Sequence, residues 1–205
     1  MKEKDLKSIR LLKSNLRKNK ISLEILKNAF ELEEKYFLEF LIDIKIEYTA
    51  SQKEYLRKTI IAKINDKNRW NVSLLLEIAT KEGIELPYEL CLKQFKTRNK
   101  FNDYVILQLI TYFTENLKLY YLDELKEAMD NIIYGDSFYD LCKMTASFFM
   151  FKITRHPSYL QTMIHLIEFG DSIIKEQIKN ELSLPYNKTE YLNCEALEKY
   201  REKVQ

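Results

Sequence analysis

An all-α chain of stacked antiparallel helical hairpins, about nine to eleven helices, is the fold class this sequence predicts, on three observations. Glycine and proline occur only three times each in 205 residues, too few for the many tight turns of a sheet-rich fold. Apolar positions recur at helical spacing almost from end to end. The glycines, Gly83, Gly135 and Gly170, each stand directly after such a run, where a glycine in the left-handed conformation ends a helix.

The first predicted helix covers residues 4–17, with Leu6, Ile9, Leu12 and Leu16 on one side. Ser22 is the expected N-cap of a second, whose apolar pattern persists over 23–48 with a bend. Ser51 is the expected cap of a third that ends near Ile64, and Asp66 or Asn68 opens the helix that closes at Gly83. Pro87 suits the first turn of the next, where a missing N–H costs little. Further helices are predicted over 101–115, 119–134, 138–154, 158–169, 172–182 and 189–203. The helix over 138–153 is apolar nearly all round and must be covered on both sides. No Ser- or Gly-rich linker divides the chain, so a single helical-repeat domain over 1–205 is expected, with 1–20 as its basic capping helix.

Residues 101–135 slide over 136–170 without a gap. Tyr104 then meets Tyr139, Ile106 meets Leu141, Leu109 meets Met144 and Phe113 meets Phe148. Leu125 meets Leu160, Ile132 meets Ile167, Tyr134 meets Phe169 and Gly135 meets Gly170. Most of these positions have the spacing of a buried face. The stop repeats as well, Gly135-Asp136-Ser137 and Gly170-Asp171-Ser172, with Asp or Ser placed to cap the following helix. Two helices per 35-residue period mark a stacked array. On these features residues 51–182 resemble HEAT-like α-solenoids, a resemblance of pattern that carries no functional residues with it. The tetratricopeptide signature of Trp, Leu-Gly and Ala is absent.

Several function classes find no support in the residues. Three isolated glycines write neither a P-loop nor a dinucleotide fingerprint, so no cofactor is expected. There is no Gly-x-Ser-x-Gly elbow, and the His165–Glu168 pair lacks the third ligand a metal site needs. Catalysis is therefore not expected. Cys91, Cys142 and Cys194 are widely spaced and read as reduced packing cysteines in a reducing compartment. Residues 1–20 contain no apolar signal core, and 104–113 is too short to span a bilayer, so no membrane association and a cytoplasmic location are expected. The wealth of Lys, Ile, Asn, Tyr and Phe is that of an AT-rich gene, as in a low-GC bacterium.

Charge distribution says more than the net +2, which is too close to neutral to argue for nucleic acid. Residues 1–20 carry an excess of six positive charges, which suits either the solvated face of a capping helix or contact with nucleic acid or an acidic partner. Residues 115–140 carry an excess of five negative charges. On the helix over 119–134, Tyr120, Asp123, Glu127, Asp130 and Tyr134 form one stripe opposite the apolar face. Two readings suit that stripe. It solvates the helix while Tyr134 tucks into the neighbouring hairpin, or it is the contact site for a protein partner with a basic surface, acids steering encounter and tyrosines anchoring. In its AT-rich coding and acidic, tyrosine-bearing stripe the chain resembles immunity proteins of bacterial polymorphic or contact-dependent toxin systems. That resemblance implies a cognate nuclease toxin as partner and inhibition by occlusion. The alternatives are a nucleic-acid-binding HEAT-like protein, using the basic N-terminal helix with Lys93, Lys96, Arg98 and Lys100, and a helical scaffold or regulatory adaptor.

Overall fold

The computed structural model describes residues 14, 21–31, 35–43, 45–65, 72–97, 103–116, 122–183 and 195–201. Among them all regular structure is α-helical and no strand occurs. The predicted helix over 4–17 apart from residue 14, the helix start at Asp66 or Asn68, and residues 189–194 and 202–203 of the last helix lie outside the described residues. The chain divides into two compact units, Met1–Gln94 with Thr111–Asn116, and Phe95–Ile110 with Leu117–Gln205.

The first unit contains α1 (Leu23–Glu31), α2 (Lys35–Asp43), α3 (Ala50–Asn65), α4 (Val72–Lys81) and most of α5 (Tyr88–Lys96). The apolar pattern predicted over 23–48 ends as helix at Asp43, and residues 45–49 run as irregular chain into α3. Helix α4 packs against α2 and α3, and α1 packs against α3. Leu26, Leu56, Ile60, Leu75, Leu76 and Ile78 are fully buried. Ser22 caps α1 as expected, its hydroxyl accepting from the Ile25 N–H at 3.1 Å. The cap of α3 is Thr49, not Ser51. The Thr49 hydroxyl accepts from the Gln52 N–H, and the Gln52 side-chain oxygen accepts from the Thr49 N–H at 2.8 Å. This reciprocal box satisfies two donors with one pair of side chains. Buried Gln52 also donates to the Ile21 carbonyl. At the end of α2, the Lys81 ammonium donates to the carbonyls of Leu41 and Ile42, supplying donors that a helix C-terminus lacks.

Gly83 behaves as the sequence predicts. Its φ is +61°, and the bonds from Gly83 N–H to Thr80 O and from Ile84 N–H to Ala79 O make a Schellman close to α4. Gly135 and Gly170 do not. Among the described residues only Gly83 and Arg155 have positive φ, and Gly170 is extended at φ −64°, ψ 164°. These two glycines answer to close approach instead. A Cβ on either would run into the carbonyl oxygen four residues back, Asn131 for Gly135 and Leu166 for Gly170. At Gly170 it would also lie 2.9 Å from Ile174 Cγ2. Gly170→Ala is therefore expected to cost about 1–3 kcal/mol, read as a lowered denaturant midpoint.

The second unit takes Phe95 and Lys96 from the end of α5 and then the first part of α6 (Asp103–Asn116), whose remainder belongs to the other unit. It goes on through α7 (Leu122–Tyr134), α8 (Asp140–Thr154), α9 (Pro157–Phe169), α10 (Ser172–Ser183) and α11 (Glu195–Arg201). Helix α8 packs on α7, α9 and α10; α10 packs also on α9 and α11. Covered in this way, α8 buries Cys142, Met144, Ala146, Ser147 and the run Phe148 to Phe151. It is buried nearly all round, as its composition requires.

The two Gly-Asp-Ser sequences have different roles. Asp171 caps α10, its carboxylate accepting from the Ile174 N–H at 2.9 Å. Asp136 and Ser137 do not cap α8, whose N-cap is Tyr139 with no side-chain bond. Helix α8 ends on Arg155 in the left-handed region, and His156 caps α9 with its ring accepting from the Ser158 N–H.

Candidate functional site

Helix α7 is amphipathic by its sequence. Leu125, Met129, Ile132 and Ile133 are buried, and Asp123, Glu124, Glu127, Asn131 and Tyr134 are exposed. Of the predicted stripe, Tyr120 lies outside the described residues. Asp123, Glu127 and Tyr134 stand at the surface, and Tyr134 is 56% exposed, not tucked into a neighbouring helix. None of the described residues makes a hydrogen bond or ion pair with the carboxylates of Asp123, Glu124 or Glu127, which face solvent as free charges.

Asp130 is placed differently. It is half-buried, and its carboxylate accepts from the Tyr159 hydroxyl of α9 at 2.7 Å and from the Lys126 ammonium one turn back at 2.5 Å. Burial first, and then the bond to Asp130, push the Tyr159 phenol up to about 12. The hydroxyl so stays protonated and donates, tying α7 to α9. Tyr159→Phe is expected to cost about 1–2 kcal/mol, since it leaves a charged acceptor short of one donor. A tyrosine raised above its unfolded value contributes stability that is complete below about pH 10 and lost as pH rises towards about 12. That alkaline loss should be smaller in Tyr159→Phe, as urea titrations at pH 8 and above pH 10 would show.

A cleft of about 140 Å³ opens beside the stripe. Phe95, Ala128, Ile132 and Phe138 supply its apolar walls, and Lys96, Glu124, Glu127 and Asn131 its polar lining. Pockets for drug-sized ligands measure about 300–1,000 Å³, so this cleft has the scale of one side chain. Two acids against one lysine leave its lining net negative.

Of the other candidates, only Lys96 of the cleft lining groups with these residues. Lys93 and Lys96 are exposed on α5, while Arg98, Lys100 and the basic residues of 1–20 lie outside the described residues. His156 is engaged as a helix cap, and His165 stacks against Phe169 at 4.9 Å. Among the described residues no group of three His, Cys, Asp or Glu is placed to hold a metal ion. Cys91 and Cys142 are buried free thiols, and burial pushes Cys91 up to about 12, away from nucleophilic use. No described helix is long and apolar enough to cross a membrane.

Sequence reasoning missed Glu124 and the exposed aromatics Tyr104, Tyr139 and Phe169. The signal for Tyr104 was its angle on the helix. It lies almost opposite Ile106, Leu109 and Phe113, which are fully buried. Comparison of the chain with protein-family models, curated proteins and solved structures finds no match.

Proposed function

We propose that this chain is a protein-binding inhibitor, an immunity protein that neutralises a basic nuclease toxin by occluding its active site. The observation that carries this reading is the surface of α7. Asp123, Glu124 and Glu127 present unpaired carboxylates, Tyr134 stands exposed at the helix end, and a net-negative cleft opens alongside. Free carboxylates raise the encounter rate with a cationic surface. An exposed tyrosine supplies rigid, amphipathic contact area at little entropic cost. A nuclease active site is cationic because it binds phosphates, so an acidic surface is the natural cover for it.

In this reading consecutive helices form antiparallel hairpins of a HEAT-like stack. Two residues join α8 to α9 and two join α9 to α10, and helices packed together across so short a connection run in opposite directions. The test is co-expression with the product of the gene immediately upstream, followed by size-exclusion chromatography and a nuclease assay. A stable complex in which the nuclease is silent supports the proposal. Two proteins that elute apart, with the nuclease active, overturn it.

A further inference from the structure

We propose that the helix ends at the α7–α8 and α9–α10 connections form a docking surface for a basic amphipathic segment of a protein partner. This rests on the reading that the partner is a basic protein, and it locates a second contact area that adjoins the outer face of α7 at Tyr134.

The large exposed hydrophobic side chains of the described residues are Tyr104 (80%), Tyr134 (56%), Tyr139 (54%), Phe169 (74%) and Ile173 (65%). All belong to the second unit. Four of them pair under the 35-residue shift, Tyr104 with Tyr139 and Tyr134 with Phe169. The sequence pattern expects such matches mostly in the core. The structure buries Leu109, Met144, Phe113 and Phe148 and leaves the matching aromatics at the surface. Core packing accounts for the first kind of match and not for the second. Aromatics that recur at surface positions of both hairpins point to a surface that is used.

Connectivity brings them together. Tyr134 ends α7 and Tyr139 precedes α8; Phe169 ends α9 and Ile173 stands in the first turn of α10. Helix α8 has 15 residues and α9 has 13, roughly 22 and 20 Å at 1.5 Å per residue. A chain leaving the first connection along α8 and returning along α9 so comes back to nearly the same level. The two connections then share one end of the hairpin stack.

Charge selects the occupant. Asp136, Asp140 and Asp171 are exposed beside these side chains, and with Lys143 and Lys175 following on α8 and α10 the two connections together stay net negative. Arginine guanidinium stacks on tyrosine and phenylalanine while pairing with carboxylates, and leucine or similar side chains cover the remaining apolar area. A second copy of this chain docking through this same surface would set aspartate against aspartate, and nucleic acid would set phosphate against it.

The test uses the full chain and a fluorescent helical peptide with arginine and leucine at amphipathic spacing, read by anisotropy. A glutamate–leucine peptide and duplex DNA serve as controls. Tyr139→Ser combined with Phe169→Ser, both exposed, should leave the helical circular dichroism spectrum as it is, with Tm moved only by the new Ser cap on α8 and the lost His165–Phe169 contact, and should weaken binding of the arginine–leucine peptide by about tenfold or more. Asp123→Lys with Glu127→Lys should weaken it by much less. Unchanged binding in the serine variant, with loss in the lysine variant, would place the basic segment on the outer face of α7. That overturns this inference and leaves the inhibitor reading standing. No binding of the arginine–leucine peptide, or equal binding of the glutamate–leucine peptide, also overturns it, with the co-expression test unaffected. Binding of duplex DNA that the serine variant weakens would overturn both.

Discussion

Reversal of Asp123 and Glu127 to Lys together is expected to lower affinity for the basic partner by at least about thirtyfold. The loss should fall mainly on the association rate, because these carboxylates are solvent-exposed, have no bonded partner among the described residues and act by steering. It should shrink as salt rises, since exposed charges are screened beyond about 10 Å at 0.1 M ionic strength. Surface plasmon resonance at two salt concentrations separates these effects. Folding should be nearly untouched, because neither side chain bonds to any of the described residues. Asp130 is the informative contrast. Its carboxylate is held by Tyr159 and Lys126, so Asp130→Lys should lower Tm as well as affinity. A lysine pair at 123 and 127 that binds as wild type would remove the outer face of α7 from the interface.

Phe113→Ala is the substitution expected to cost most stability. Phe113 is fully buried, with its ring 4.8 Å from that of Tyr88 and 5.9 Å from that of Tyr112. Removing a buried phenyl group loses its transfer free energy and leaves a cavity, about 3–5 kcal/mol. In a chain of this size that lowers Tm by about 6–20 °C. The neighbouring Tyr112 hydroxyl accepts the Leu86 N–H at 2.7 Å, so collapse of the ring cluster would also disturb the chain entering α5. Phe113→Leu keeps most of the volume and should lose much less. Thermal unfolding followed by circular dichroism checks both, and an alanine variant within about 2 °C of wild type would contradict this account of the core.

Helix positions were legible because apolar spacing reports which face is buried, and α7, α8 and α9 came out within a few residues of their predicted limits. Helix ends were less so. The Thr49 and Gln52 box has a recognisable signature, Thr-x-x-Gln, yet Ser51 competes with it in the sequence. Arg155 in the left-handed region is a residue type that seldom adopts that conformation; the reason lies downstream, where His156 and Pro157 open a new helix and force the old one to stop. Gly135 and Gly170 were correctly placed at helix ends for the wrong conformational reason. The candidate site was legible only in part. The outward direction of Asp123, Glu127 and Tyr134 follows from helix geometry alone. That Asp130 is tied to Tyr159 does not, because such a bond depends on how two helices pack, which local spacing does not encode. The exposed aromatics were hidden by their chemistry, since residue type argues for burial and only position argues against it.

The most direct test of the central claim is a titration of the upstream gene's nuclease with the purified chain, following cleavage of a labelled nucleic acid. Occlusion of the active site by this protein predicts a linear fall in activity to zero at a 1:1 ratio, with recovery when Asp123 and Glu127 are reversed. Nuclease activity that is unchanged at a tenfold excess of the chain would contradict it.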